Sequence, residues 1–164
     1  MIKTLITSLF ITTLSFSQTQ TEREAFKLSL IVDAKSVYEM DVPKSPYFVD
    51  PKVIQVFPGE KLNIETEIRN DTVYSMKVVK EIAFPERTIT LDFSQQGDTR
   101  ETQQMILTVT NPFDKKLNYN ALMFTQRGQR WTPTSIIPIM PKLLNYEMWP
   151  HPIVSLILDK WRLE

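Results

Sequence analysis

Apolar and polar residues alternate with a period of two along most of this chain, the spacing of a strand with one buried face. Phe26, Leu28, Leu30 and Val32 alternate with Lys27, Ser29 and Ile31. Leu62, Ile64, Thr66 and Ile68 alternate with Lys61, Asn63, Glu65 and Glu67, and Asn70–Asp71 closes that run. Tyr74, Met76 and Val78, then Ile89, Leu91 and Phe93, then Met105, Leu107 and Val109 repeat the rhythm. Leu117, Tyr119, Ala121 and Met123 form one face of a further strand. Short apolar runs at Val53–Phe57, Trp131–Ile139 and Ile153–Leu163 complete the set.

Turn signals separate the runs: Pro58–Gly59–Glu60, Gln95 to Asp98, Asn111–Pro112 and Gly128. No apolar stripe at helical spacing and no alternation of strands with helices is present, which argues against a parallel α/β sheet. The pattern predicts an all-β fold, an antiparallel immunoglobulin-like β-sandwich of about seven to nine strands. A jelly roll or small barrel is the alternative architecture. Residues 37–52 hold Pro43, Pro46 and Pro51, and read as a long ordered excursion rather than a strand.

The N-terminus departs from this rhythm. Residues 1–17 carry Lys3, an apolar stretch from Leu5 to Phe16, and Ser15 and Ser17 at the small positions of a cleavage site before Gln18. This is the three-part pattern of a secretory signal peptide. The stretch is shorter than the roughly 20 residues that span a bilayer, so no transmembrane span is expected after cleavage. Residues 18–25 are polar and read as a flexible leader, and residues 26–164 as a single domain. The localisation expected is export, periplasmic or extracellular, with a bacterial envelope favoured.

Composition narrows the chemistry. The 164 residues include no Cys, one His and three Gly. A disulfide scaffold, a thiolate metal site and a Cys nucleophile are therefore excluded. The Gly count leaves nothing for a phosphate-cradling loop. With 19 Lys+Arg against 19 Asp+Glu, no basic footprint for nucleic acid exists. A domain of this length can bury a core large enough to stand without disulfides.

Few residues offer site chemistry. Glu147 and Trp149 lie two apart, so both point to one face of an extended segment. An acid beside an indole suits a sugar, whose apolar face stacks on the ring while its hydroxyls bond the carboxylate. Trp131 and Trp161 would extend that platform, and His151, held between Pro150 and Pro152, would flank it. The competing reading makes these indoles core plugs and His151 a loop residue. Asn70–Asp71–Thr72 matches an N-glycosylation acceptor, with Asn70 the attachment point, and Asp71–Thr72–Val73 matches a short bacterial O-glycosylation pattern at Thr72. No Gly-x-Ser-x-Gly elbow or Ser-x-x-Lys motif is present. No catalytic, metal or cofactor residues are assigned.

The expected function is therefore that of an exported, non-enzymatic module that binds another envelope or secreted protein. The alternative is a carbohydrate-binding module using exposed Trp residues. Docking is expected at an edge strand, where unpaired backbone groups accept another strand. The apolar stretch Ile153–Leu158 would supply that edge if it lay at the margin of a sheet.

Overall fold

The computed structural model describes residues 21–164. The expected signal peptide, residues 1–17, lies outside the described residues. Among the described residues no helix is long and apolar enough to cross a membrane.

The fold is all-β. Among the described residues fourteen strands follow one another: β1 Glu22–Arg23, β2 Phe26–Ile31, β3 Val37–Val42, β4 Ser45–Pro46, β5 Phe48–Asp50, β6 Val53–Val56, β7 Glu60–Arg69, β8 Thr72–Val79, β9 Thr88–Gln96, β10 Gln104–Thr110, β11 Leu117–Phe124, β12 Trp131–Thr134, β13 Leu144–Trp149 and β14 Ser155–Leu163. A single turn of 3₁₀ helix, Pro85–Arg87, precedes β9. One antiparallel sheet of five strands runs β13–β10–β9–β7–β8, and a second runs β12–β11–β14–β6–β5. Two small pairs, β1–β4 and β2–β3, accompany them.

The inward halves of the alternating runs from both large sheets meet in one apolar cluster. Ile64, Ile89, Phe93, Met105, Leu107, Ile54, Leu117, Leu156 and Leu158 are all fully buried in it. Burying each such side chain is worth about 1.5–3 kcal/mol. Hairpin β2–β3 adds Leu28, Leu30 and Val42 to the same core.

Local chemistry fixes the turns. Asn70 and Asp71 both take positive φ, 49° and 60°, between β7 and β8. That is the two-residue hairpin turn Asn and Asp tolerate best among residues with a Cβ. Gly59 has φ 94° between β6 and β7, a conformation that Gly adopts without the steric cost of a Cβ.

Three segments differ from the sequence expectation. Residues 37–52 form strands β3, β4 and β5, with Pro43, Pro46 and Pro51 at breaks or strand ends. The proline spacing hid the alternation of Tyr38, Met40 and Val42, which face the core. Within the expected leader, Glu22–Arg23 pairs with Ser45–Pro46, and Arg23 is buried. The final strand is also not an edge. β14 lies between β11 and β6, and Ile153, Val154, Leu156 and Leu158 are buried. Its apolar run is long because a central strand is covered on both flanks and faces the core, so Ile153–Leu158 offers no docking margin.

Candidate binding edge

The five residues proposed as one surface do not share one. Trp149, at the end of β13, is buried and donates its indole N–H to the Thr134 hydroxyl at 2.9 Å. Trp161 is buried in β14 and stacks on Tyr119 with ring centroids 4.7 Å apart. Both are core plugs, the arrangement aromatic rings favour when their apolar body is covered. Glu147 is half-buried on the inward face of β13, where it accepts from the Ile137 backbone N–H and the Asn145 side chain, each at 2.8 Å. Trp131 alone among the indoles is exposed, on β12, beside Phe124 at 5.4 Å.

His151 is exposed in the segment joining β13 to β14. It lines a shallow cleft of about 450 Å³ with Val32, Met123 and Arg127. Among the described residues, no group of three or more His, Asp or Glu could hold a metal ion. Asn70 and Thr72 lie on the exposed β7–β8 turn.

A cleft of about 670 Å³ lies beside Arg23, Glu60, Tyr47 and Phe26. Its buried cation, Arg23, and Glu60 are already spent on each other. The buried Arg23 guanidinium donates to Glu60 Oε1 at 2.8 Å and Oε2 at 3.4 Å, to Ser45 Oγ at 3.1 Å, and to the carbonyls of Pro46 and Gln55 at 3.0 and 2.6 Å. That uses every N–H an arginine has. Glu60 Oε2 also accepts from the Phe57 N–H at 2.8 Å. The pair is a clamp that fastens β1 to β7 of the first sheet, and the bond to the Gln55 carbonyl ties it to β6 of the second.

The remaining candidate is a sheet margin. Four strands end the two large sheets: β8, β13, β12 and β5. Edges are usually guarded against foreign strands by shortness, proline, lysine, a bulge or an inward-pointing charge. β5 has three residues and a register break; β12 has four and contains Pro133. β8 carries Lys77 and sits opposite a register break at Glu67/Ile68. β13 has six residues, no proline or lysine, and an unbroken register from Leu144 to Trp149. Its one charge, Glu147, is turned inward, itself an edge-guarding device, but it is bonded within the chain to the Ile137 N–H and the Asn145 amide.

The outward face of β13 is apolar. Leu144, Tyr146 and Met148 are 48, 58 and 60% exposed, and Ile137, Met140 and Leu143 on the approach to β13 are exposed as well. Half-buried Ile106 and Thr108 of β10 lie opposite Met148 and Tyr146 and continue the face inward. Period-2 reading missed this surface. Leu144, Tyr146 and Met148 alternate with Asn145, Glu147 and Trp149, and the indole, the strongest apolar signal of the segment, lies on the inward side.

No protein-family model, no curated protein and no solved structure matches this chain.

Proposed function

We propose that this is an exported, non-enzymatic protein that works by binding a protein partner along β13. We further propose that its two sheets form an immunoglobulin-like sandwich, a scaffold whose edges and loops carry recognition while the core holds them rigid. The observation that carries the reading is the regular, proline-free, apolar margin of β13. Unpaired backbone groups supply affinity there, and Leu144, Tyr146 and Met148 supply specificity, the division of roles in strand addition.

A photo-crosslinking residue in place of Tyr146 tests this directly in an envelope extract, with one in place of Tyr74 on the β8 edge as control. An adduct specific to position 146 supports the reading, and none, or equal capture at both, overturns it.

The carbohydrate reading retains one observation in its favour, the exposed Trp131 paired with Phe124. A single ring stacks a sugar only weakly. Trp131 fluorescence unmoved across a glycan panel would remove it.

A further inference from the structure

We propose that the partner seated on β13 is a second copy of this chain, joined by antiparallel pairing of the two β13 strands about a two-fold axis. This rests on the reading of β13 as the binding edge and adds the identity of the occupant.

The first support is the direction of the backbone groups. The Asn111 N–H donates to the Leu143 carbonyl at 2.8 Å, and β10 and β13 then pair without a break from Thr110↔Leu144 to Met105↔Trp149. In an antiparallel ladder, alternate residues bond to the neighbouring strand. Odd-numbered residues of β13 therefore turn their N–H and C=O toward β10. Leu144, Tyr146 and Met148 turn theirs to the free margin. The residues with open backbone groups are the same three whose side chains form the exposed apolar face.

The second support is self-complementarity. A two-fold interface must match a surface to itself. Setting Tyr146 opposite Tyr146 of the second copy places Leu144 opposite Met148 in both directions. All three outward residues then exchange paired hydrogen bonds, and their side chains fall on one continuous face of a ten-stranded sheet. In the same register Glu147 lies opposite Asn145 of the second copy, a carboxylate beside an amide donor.

The neighbouring registers fail. Moving the centre to residue 147 sets Glu147 against its own copy, a like-charge pair on one face. It also brings Leu144 opposite Pro150, which has no N–H to give. Moving it to residue 145 sets Met148 opposite Lys142, a residue of positive φ outside the strand and engaged with Asp114 at 3.2 Å. The margin thus favours one register, as expected of an edge that meets its own copy.

The chain has no cysteine, which makes the register measurable. Facing residues of a hydrogen-bonded pair have Cα atoms about 5.5 Å apart, within the about 4.4–6.8 Å that a disulfide spans. Tyr146→Cys should cross-link to itself under mild oxidation, and Tyr74→Cys on the β8 edge should not. Light scattering of the purified protein from low micromolar to near-millimolar concentration should show a reversible dimer. Tyr146→Lys, which faces two cations across the axis, should weaken association on the order of a hundredfold, while Tyr146→Phe retains the dimer. Position 146 is exposed, so a circular dichroism spectrum like that of the parent is expected and keeps loss of association separable from misfolding. A monomer throughout this range, with no more cross-linking at 146 than at 74, overturns the inference. So does a dimer indifferent to Tyr146→Lys. A monomer that still gives a specific adduct to a different protein from position 146 would refute the second copy but leave the binding edge standing. Absence of any adduct would refute both.

Discussion

Replacing Arg23 by methionine should cost about 3–5 kcal/mol, because it leaves Glu60 half-buried without its cation. Arg23 is 2% exposed, and its side chain makes hydrogen bonds to two side chains and two carbonyls on three other segments. The guanidinium carbon also lies 4.9 Å from the centroids of both the Tyr47 and Phe57 rings. Against a typical domain stability of about 5–15 kcal/mol, the loss would be about a fifth of the total or more. Urea unfolding gives the magnitude, and an unchanged slope with a lower midpoint would show that stability rather than compactness moved. The cycle with Glu60→Leu separates the pair from its surroundings. The double variant should be less destabilised than the two single losses combined, because no buried charge is left alone. A loss below about 1 kcal/mol for Arg23→Met, with additive singles, would place the pair among surface ion pairs and refute the clamp.

Asn111 is fully buried, with Nδ2 donating to the carbonyls of Lys115, Ile139 and Met140 and Oδ1 accepting from the Phe113 N–H. Asn111→Ala should cost about 3 kcal/mol or more by thermal or urea unfolding, and Asn111→Asp should not rescue it, since a carboxylate cannot donate to three carbonyls. The Tyr119 hydroxyl is buried without a hydrogen-bond partner, so Tyr119→Phe should leave stability unchanged or raise it by up to about 1–3 kcal/mol in the same assay. Burial first, and nearby Glu147 second, hold the Tyr119 phenol above the usual tyrosine value. The folded value therefore lies above the unfolded one of about 10, so the neutral ring's contribution is whole below about pH 10 and is lost as pH rises toward the folded value. Unfolding measured from pH 8 to 11.5 should show this alkaline decline, and Tyr119→Phe should flatten it.

Strand periodicity carried most of the fold because one face of each strand must be buried. The inward sets of β2, β7, β9, β10 and β11 match the apolar halves of their alternation. The rhythm misplaced residues where the chain slips. A register break between β7 and β8 turns Tyr74 outward, under the Arg69 guanidinium at 3.5 Å, and brings Val73 into the core in its place. A second break near Lys160, φ 52°, lets Trp161 remain inside after the β11–β14 pairing shifts. Neither slip leaves a mark in local composition. Arg23 was equally illegible, since its partners lie 22 to 37 residues away. The candidate edge was half legible. The alternation of Leu144, Tyr146 and Met148 is plain in the sequence, but only strand order tells that β13 ends a sheet and β14 does not.

Residue-resolved amide exchange within β13, in dilute and in concentrated protein, tests the binding edge most directly. The amides of Asn145, Glu147 and Trp149 bond to β10 and should be protected at both concentrations. Those of Leu144, Tyr146 and Met148 face the free margin. They should exchange rapidly when dilute and gain protection as the second copy pairs with them. Rapid exchange of these three amides at every concentration, or protection that never changes, would contradict the account.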